Sequence, residues 1–190
     1  MEQVANLLKL LARVQEKLNE AGIQSLIYGG IAVIAWGRPR FTQDVDLKVL
    51  LSRDEVDRLV NCMTPEFRPD DEDPKTKLQQ VGFAFFWDPS NIRIDLVLAE
   101  TGFDLQAMSR SRPVEMLPGI TLTLCSAEDL LVYKMISDRP RDNDDVPGII
   151  HRQKKSLDDS YIEKWLREFE IALDDSTLVN SYRQMRQPAF

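Results

Sequence analysis

Residues 28–51, YGGIAVIAWGRPRFTQDVDLKVLL, hold the pattern that decides the class of fold. Gly29 and Gly30 separate a short apolar run from a second one that ends at Gly37. This arrangement predicts a strand, a diglycine turn and a compact helix. In residues 44–51 polar and apolar side chains alternate, as they do in a half-buried strand. The stretch therefore indicates a strand–turn–helix–strand unit.

Outside this unit, helices and strands alternate early in the chain and helices dominate its end. Apolar side chains recur at helical spacing in residues 2–21, whereas residues 81–87 and 91–99 predict two strands joined as a hairpin. The expected fold class is α/β (α+β), a small mixed β-sheet flanked by helices. We expect a core domain at residues 1–124 and a C-terminal helical region at residues 125–190 packed on it.

The segment at residues 64–80 contains PEFRPDDEDP, in which three prolines interrupt a run of charges. Proline removes a backbone donor, and runs of like charge are usually solvated. We expect this segment to be a loop.

The composition limits the classes of function. A chain of 190 residues, of which 43% are hydrophobic, can bury a substantial core. The net charge of −7 argues against broad, sequence-independent coating of nucleic acid, which needs a basic surface. It leaves room for a local basic groove, for which the candidates are Lys75–Lys77, Arg110–Arg112 and Arg152–Lys155.

The cysteine and histidine content bears on compartment and metal chemistry. The cysteines Cys62 and Cys125 are far apart and His151 is the single histidine, so we expect neither a disulfide framework nor a structural zinc site. The N-terminus resembles a charged amphipathic helix rather than a secretory signal, and no apolar run approaches the roughly 18 residues of a membrane helix. We expect a cytoplasmic protein without a membrane segment.

Aspartates are concentrated on one face of two predicted strands. Asp44 and Asp46 share a face of the first strand, and in NIRIDLV, residues 91–97, Arg93 and Asp95 share the polar face of the second. If these strands are neighbours, three carboxylates converge on one sheet face. Crowded carboxylates repel one another, and a hard divalent cation such as Mg²⁺ is the natural compensation. The alternative is that DVD forms the solvated face of an edge strand.

Other residues of the quoted stretch suit phosphate binding. At Gly29 and Gly30 the backbone amides can approach a ligand closely at the beginning of a helix, where the dipole favours an anion. Arg40 and Thr42 share the face of Asp44 if the chain is extended, and arginine binds phosphate with a fixed fork of donors. The alternatives are a tight strand-to-helix turn and a solvated loop.

The combination of GG, thirteen intervening residues, DVD and a later strand with one more aspartate resembles the polymerase-β-like nucleotidyltransferase superfamily. The stretch GG…WGRPRFTQDVDL is similar to its small members, and Asp95 in IRIDLV fits the third carboxylate. The resemblance implies that Asp44 and Asp46 hold Mg²⁺, or Mn²⁺ in its place. It implies that Asp95 joins the catalytic metal and helps to activate an attacking hydroxyl.

The same resemblance implies a binding site for the triphosphate of an NTP substrate. Gly29 and Gly30 would line the triphosphate, with Arg40 and Thr42 beside it.

The segment SAEDLLVYKMISDRPRDNDDV, residues 126–146, resembles the AbiEii/MenT-type nucleotidyltransferases of toxin–antitoxin and abortive-infection systems. In that group a helix carries a lysine followed by D-x-x-D, which Lys134, Asp142 and Asp145 match. The resemblance implies that Lys134 meets phosphate charge during catalysis, and that both aspartates help to bind the nucleotide. From the residues alone, Lys134 is a solvated helix position and the aspartates are acids favoured near a helix N-terminus.

Three functions are consistent with these residues. The first is an enzyme that transfers a nucleoside monophosphate from an NTP to a hydroxyl of a tRNA end, a protein or a small molecule such as an antibiotic. If this enzyme is a toxin, a cognate antitoxin protein is its expected partner. The second is a catalytically silent module that binds NTP or a partner protein, and the third is a structural α/β interaction protein. Because all three acidic positions are occupied, we favour the enzyme.

Overall fold

The computed structural model describes residues 2–137 and 139–187 of the chain. The chain divides into two compact units, Met1–Ile31 with Phe41–Cys125, and Ala32–Arg40 with Ser126–Phe190. The first unit carries the β-sheet, and the second is helical. The domain division expected from the sequence, with the helical region packed on the core, stays a prediction.

Nine α-helices lie within the described ranges. In chain order they are α1 (Glu2–Glu20), α2 (Gly29–Trp36), α3 (Val56–Met63), α4 (Pro74–Val81), α5 (Gly102–Arg110), α6 (Ala127–Met135), α7 (Pro140–Gln153), α8 (Asp159–Leu173) and α9 (Leu178–Arg186). Short 3₁₀ turns occupy Arg53–Glu55 and Lys154–Ser156. Among these helices none combines the length and the apolar character needed to cross a membrane.

The same residues contain seven strands, which form one sheet. They are β1 (Gln24–Ile27), β2 (Asp44–Leu50), β3 (Arg68–Pro69), β4 (Phe83–Trp87), β5 (Arg93–Leu98), β6 (Arg112–Leu117) and β7 (Ile120–Leu124). The order across the sheet is β3-β4-β5-β2-β1-β7-β6. β2 is parallel to β5 and β1 is parallel to β7, whereas the other neighbours are antiparallel. This mixed sheet confirms the expected fold class, and β4 and β5 form the expected hairpin.

Alternation along β2 separates a buried apolar face from a polar one. Val45, Leu47 and Val49 are fully buried, whereas Asp44 and Asp46 are partly exposed on the opposite face. Burying each apolar side chain contributes roughly 1.5–3 kcal/mol. A slip of one residue would exchange the two faces and move both carboxylates into the core, where unpaired charge is very costly. The core therefore fixes the direction in which the aspartates point.

Helix α1 packs on the sheet through an apolar face that includes one polar residue, Gln15. The Gln15 side chain is 6% exposed; its Nε2 donates to the carbonyl of Thr123 at 3.0 Å, and its Oε1 accepts from the Thr123 N–H at 2.9 Å. β1 has four residues and pairs with β7 at Ile27 and Leu124. The side-chain amide of Gln15 thus makes the two hydrogen bonds to the Thr123 backbone that a neighbouring strand would otherwise make, because β1 pairs with β7 only at Ile27 and Leu124 in the part of the chain that the structure describes.

The prediction of a loop at residues 64–80 is wrong for most of that segment. Arg68–Pro69 pairs with β4 as the short edge strand β3, and α4 begins at Pro74. The Asp73 side chain accepts a hydrogen bond from the N–H of Thr76 at 3.0 Å and caps the helix, while Pro74 occupies the first turn, where its missing N–H costs nothing. Proline interrupts a helix when it lies in the interior. Pro74 lies in the first turn and is therefore compatible with α4.

We expect Gln15→Leu to lower the free energy of unfolding by about 1–3 kcal/mol, because the donor and acceptor of Thr123 lose their partners. Urea unfolding followed by circular dichroism measures this loss. The matched control is Glu16→Leu, which changes the next, exposed side chain of α1. Equal losses in the two variants would contradict a specific role for the Gln15 amide.

Candidate active site

The register between β2 and β5 brings the aspartates predicted from the sequence onto one face of the sheet. Asp46 lies opposite Asp95 and Asp44 lies opposite Arg93, in a parallel pairing. Residues opposite each other in neighbouring strands point to the same side, so all four side chains share the polar face. The side chain of Asp44 is 40% exposed and that of Asp95 is 13% exposed. The face is therefore open to a ligand at β2 and more enclosed at β5.

Arg93 holds Asp95 with both arms of its guanidinium group. Its Nε donates to Oδ1 of Asp95 at 2.6 Å and its Nη2 donates to Oδ2 at 2.8 Å, while Nη2 also reaches Oδ2 of Asp44 at 3.3 Å. The hydrogen bonds to Asp95, together with the charges of Asp44 and Asp46, raise the pKa of Arg93 against the opposing effect of burial. The alternation in NIRIDLV predicts that Arg93 lies on this face, but it indicates no role for the residue. Its spacing of two residues from Asp95 is the signal that points to this pair.

The carboxylates can be compared with the needs of a divalent cation. Across residues 2–137 and 139–187, no group of three or more histidine, cysteine, aspartate or glutamate side chains is arranged to hold a metal ion. The donor chemistry of Asp44 and Asp46 nevertheless fits Mg²⁺, which takes one or two carboxylates and completes its shell with water and phosphate. Asp95 fits less well, because Arg93 already binds both of its oxygens.

The diglycine turn lies directly against Asp46. Gly29 has φ +61°, and a Cβ atom there would lie 2.5 Å from Cγ of Asp46. The N–H of Gly30 points at Oδ2 of Asp46 across 3.4 Å, and a Cβ atom on Gly30 would lie 2.5 Å from Oγ1 of Thr42. Both positions therefore exclude a side chain. The first amides of α2 are held next to a carboxylate of β2, where an anion bound through a shared cation would meet them.

Thr42 is 4% exposed, and its hydroxyl donates to Oδ1 of Asp44 at 3.1 Å. Its side chain also packs against Gly30. The structure thus places Thr42 where it orients Asp44, and the contact with the nucleotide that the sequence resemblance implies for Thr42 stays a prediction.

A row of aromatic side chains continues the polar face beyond Asp95. Phe85 of β4 lies opposite Asp95, and Phe83 lies two residues away on the same side of the strand. The guanidinium carbon of Arg93 is 4.8 Å from the centroid of the Phe85 ring, and Nζ of Lys77 is 4.9 Å from it. Such pairs contribute about 0.5–1 kcal/mol where they are exposed. Neither ring was predicted as part of the site, although the alternation in FAFFW indicates that Phe83 and Phe85 share one face of the strand.

In the second unit, Lys134, Asp142, Asp145 and Arg40 form one ion-pair network. Nζ of Lys134 contacts a carboxylate oxygen of Asp142 and lies 3.0 Å from Oδ2 of Asp145. Arg40 donates to the two oxygens of Asp145 at 2.6 and 2.8 Å, and Ser137 donates to Asp142 at 2.7 Å. Lys134 is 6% exposed, so it is not a solvated helix position.

The cations of this network act on the ionisation of Asp145. Burial opposes the ionisation of Asp145, but hydrogen bonds from Arg40 and Lys134 outweigh it and hold the pKa of Asp145 below its ordinary value. Asp142 and Asp145 thus face Lys134 and Arg40 inside the second unit, and Nε of the exposed Arg139 lies 3.9 Å from Oδ2 of Asp142. The assignment of the first four of these residues as nucleotide ligands stays a prediction.

We expect Gly29→Ala to destabilise the protein by at least about 2 kcal/mol more than Gly119→Ala. Both glycines have positive φ, but a Cβ atom on Gly119 has no heavy atom within 4 Å. The difference in free energy of unfolding therefore isolates the overlap with Asp46. In the double variant Gly29→Ala/Asp46→Ala we expect the extra loss to shrink, and its full persistence would contradict this explanation.

The lowered pKa of Asp145 predicts a pH dependence of stability. Its ionised form stabilises the folded state above the unfolded-state pKa of about 3.9, and this stabilisation is lost as the pH falls through the lower folded-state value. We expect the gap in free energy of unfolding between wild type and Asp145→Asn to be constant near neutral pH and to shrink below about pH 4. Asp144→Asn, at the adjacent exposed position, should show a small gap throughout; if the Asp145→Asn gap does not change with pH, the network is not ionic.

Comparison with known proteins gives the family. A family described as nucleotidyl transferase of unknown function (DUF2204) matches residues 7–181. No functionally curated protein is significantly similar in sequence to this chain.

Solved structures share the fold. The antibiotic-resistance factor ANT(2″)-Ia matches with a TM-score of 0.61 and 14% identity over 90% of this chain and 96% of that one. A second structure of ANT(2″)-Ia, in complex with adenylyl-2″-tobramycin, matches with a TM-score of 0.57 and 13% identity over 96% and 99% of the two chains. An antigenic nucleotidyltransferase-like protein from Paracoccidioides brasiliensis matches with a TM-score of 0.53 and 18% identity over 91% and 95%. The chain belongs to the DUF2204 family of nucleotidyl transferases, within the polymerase-β-like nucleotidyltransferase superfamily, and its enzyme class is that of a nucleotidyltransferase.

Proposed function

We propose that this protein transfers a nucleoside monophosphate from an NTP to an acceptor hydroxyl, in a reaction that depends on Mg²⁺ or on Mn²⁺ in its place. One observation carries the proposal. The register of β2 and β5 aligns Asp44, Asp46 and Asp95 on one sheet face, and the diglycine turn at Gly29 lies against the middle carboxylate.

The nucleotide side of the reaction belongs to β1, β2 and the beginning of α2. Asp44 and Asp46 would hold the divalent cation, and Thr42 orients the first of them. When bound, the cation neutralises phosphate charge and favours in-line displacement. The amides of Gly29 and Gly30 would bind the triphosphate at the positive end of α2.

Four further residues are proposed as nucleotide ligands on the sequence resemblance alone. They are Arg40, Lys134, Asp142 and Asp145.

Asp95 is the proposed acceptor of the proton. The acceptor oxygen forms a bond to the α-phosphorus of the NTP, the bond from that phosphorus to the bridging oxygen breaks, and pyrophosphate leaves. The hydroxyl proton passes to Asp95 and then to solvent. A carboxylate has about four lone-pair positions, so the two hydrogen bonds from Arg93 leave acceptor capacity on Asp95. Arg93 acts as a positioning residue that keeps this carboxylate in one orientation.

The acceptor would approach from the side of β4. In the sheet order, β4 lies beside β5 and away from β1, so the aromatic row at Phe83 and Phe85 adjoins Asp95 on the side opposite the diglycine turn. Flat aromatic faces next to cations suit a nucleobase. We therefore place a tRNA end first among the acceptors.

A protein acceptor, with toxin activity and a cognate antitoxin, rests on the sequence resemblance. A small-molecule hydroxyl is the acceptor suggested by ANT(2″)-Ia, which is known in complex with adenylyl-2″-tobramycin. We place the reaction in the cytoplasm, because Cys62 and Cys125 are reduced thiols.

The second candidate function is a catalytically silent module that binds NTP. The contact from Arg93 to Asp44 and Asp95 favours it, because a cation already neutralises part of the carboxylate charge.

Transfer assays with each α-³²P-labelled NTP and Mg²⁺ test the enzyme. We offer total tRNA, purified protein substrates, the protein itself and tobramycin as acceptors. We expect label in one acceptor class, and a loss of at least about 100-fold in Asp44→Asn and Asp46→Asn, which keep the side-chain shape but remove the charge. Asp54→Asn, at an exposed aspartate outside this face, is the matched control.

Two outcomes would contradict the proposal. Transfer that survives both substitutions would remove Asp44 and Asp46 from the metal site. Binding of Mg²⁺–NTP by calorimetry, without product from any acceptor, would establish the silent module instead.

A further inference from the structure

The second unit contains a cavity of about 760 Å³ whose lining is basic. Its walls come from residues 37–39, which follow α2, and from the last turns of α7 with Lys154. The charged or titratable side chains around it are Arg38, Asp144, His151, Arg152 and Lys154. Two residues of the basic run at Arg152–Lys155, Arg152 and Lys154, thus line this cavity. The sequence singled out this run, and the proposed function leaves it unused.

Two glycines bring the walls of this cavity together. A Cβ atom on Gly37 would lie 2.8 Å from Cγ1 of Ile149, and one on Gly148 would lie 3.1 Å from Cβ of Arg38. Nη1 of Arg152 donates to the carbonyls of Ile34 and Gly37 at 3.1 and 2.9 Å. The loop after α2 is therefore fixed against α7, and the cavity is a built feature of this unit rather than a gap between loose side chains.

The cations in the lining differ in their partners from those of the ion-pair network at Lys134. In the part of the chain that the structure describes, Arg38, Arg152 and Lys154 form no ion pair with a carboxylate. Asp144 is the acidic residue in the lining and stands against three permanent cations. In a chain whose net charge is −7, such a local excess of positive charge attracts an anion selectively.

Backbone strain adds to this observation. Lys154 has φ +47° and ψ −117°, a backbone conformation that residues other than glycine rarely adopt. Strain of this kind costs on the order of 1–3 kcal/mol and is kept where the surroundings require it. Here it marks the residue that brings the ammonium group to the cavity.

We propose that this cavity binds phosphate groups, as carried by the phosphodiester backbone of an RNA or by a free polyphosphate. Arginine and lysine are the side chains that bind phosphate best, and the volume is in the range of small-ligand sites, about 300–1,000 Å³. A polycationic aminoglycoside would be repelled. The binding stands on the lining charges, whereas a role in holding an RNA acceptor rests on the proposed function.

Fluorescence anisotropy without NTP tests the binding separately from transfer. The first probe is a labelled single-stranded RNA of about 12 nucleotides, measured over a range of salt. The second is inorganic triphosphate, measured by calorimetry and as a competitor of the RNA. Arg38→Gln and Lys154→Gln each remove one cation, and Lys155→Gln, at an adjacent exposed lysine outside the lining, is the matched control.

We expect each lining variant to raise the Kd roughly fivefold and to lower the slope of log K against log salt by about 0.7, with unchanged thermal melting. If the lining variants bind the RNA more weakly, the cavity is a nucleic-acid site. If they bind only triphosphate more weakly, the cavity is a site for free polyphosphate. Losses equal to those of Lys155→Gln, or no binding of either probe, would overturn the proposal. Retained binding together with failed transfer would count against the proposed function alone.

Discussion

Asp46 and Asp95 stand side by side because two strands, separated in the chain by the whole β3–β4 region, pair in parallel with a fixed register. The apolar residues on the reverse of β2 and β5 are fully buried, so the register cannot shift without transferring carboxylates into the core. The close approach of Gly29 to Asp46 depends on the same register. The carboxylate face, the position of the diglycine turn against it and the hold of Arg93 on Asp95 are all consequences of this one alignment.

The two charged clusters of the molecule differ in how their charges are paired. In the first unit three carboxylates share a partly exposed face with Arg93, which leaves negative charge in excess. In the second unit Lys134 and Arg40 face Asp142 and Asp145 in a buried network, in which each carboxylate has a cationic partner. Removing one member of a buried, paired network is costly, whereas an accessible face with excess charge gains by binding a counterion. The first cluster is therefore the better candidate for a cation site, and the assignment of the second as nucleotide ligands stays a prediction.

Much of the fold could be predicted from local pattern, and the failures have identifiable physical reasons. Alternation in DVDLKVL and IRIDLV indicated which face each aspartate occupies, because strand periodicity is a local property. The pairing of β2 with β5 and the contact of Arg40 with Asp145, 105 residues apart, depend on tertiary packing and have no signature in a single sequence. Gln15 was hidden because its partners are backbone groups of a distant strand. At Asp73–Pro74 the sequence contains a helix-start signal, but the surrounding prolines and charges favoured the prediction of a loop.

The two outermost strands of the sheet share a feature whose consequence concerns self-association. β3 consists of Arg68–Pro69, and β6 begins with Arg112–Pro113, so both borders of the sheet carry an arginine followed by a proline. Proline offers no N–H to an incoming strand, and the charged neighbour disfavours a dry contact. Addition of a second copy edge to edge, the first step towards a continuous intermolecular sheet or an amyloid-like fibre, is thus disfavoured at both sides by the same dipeptide.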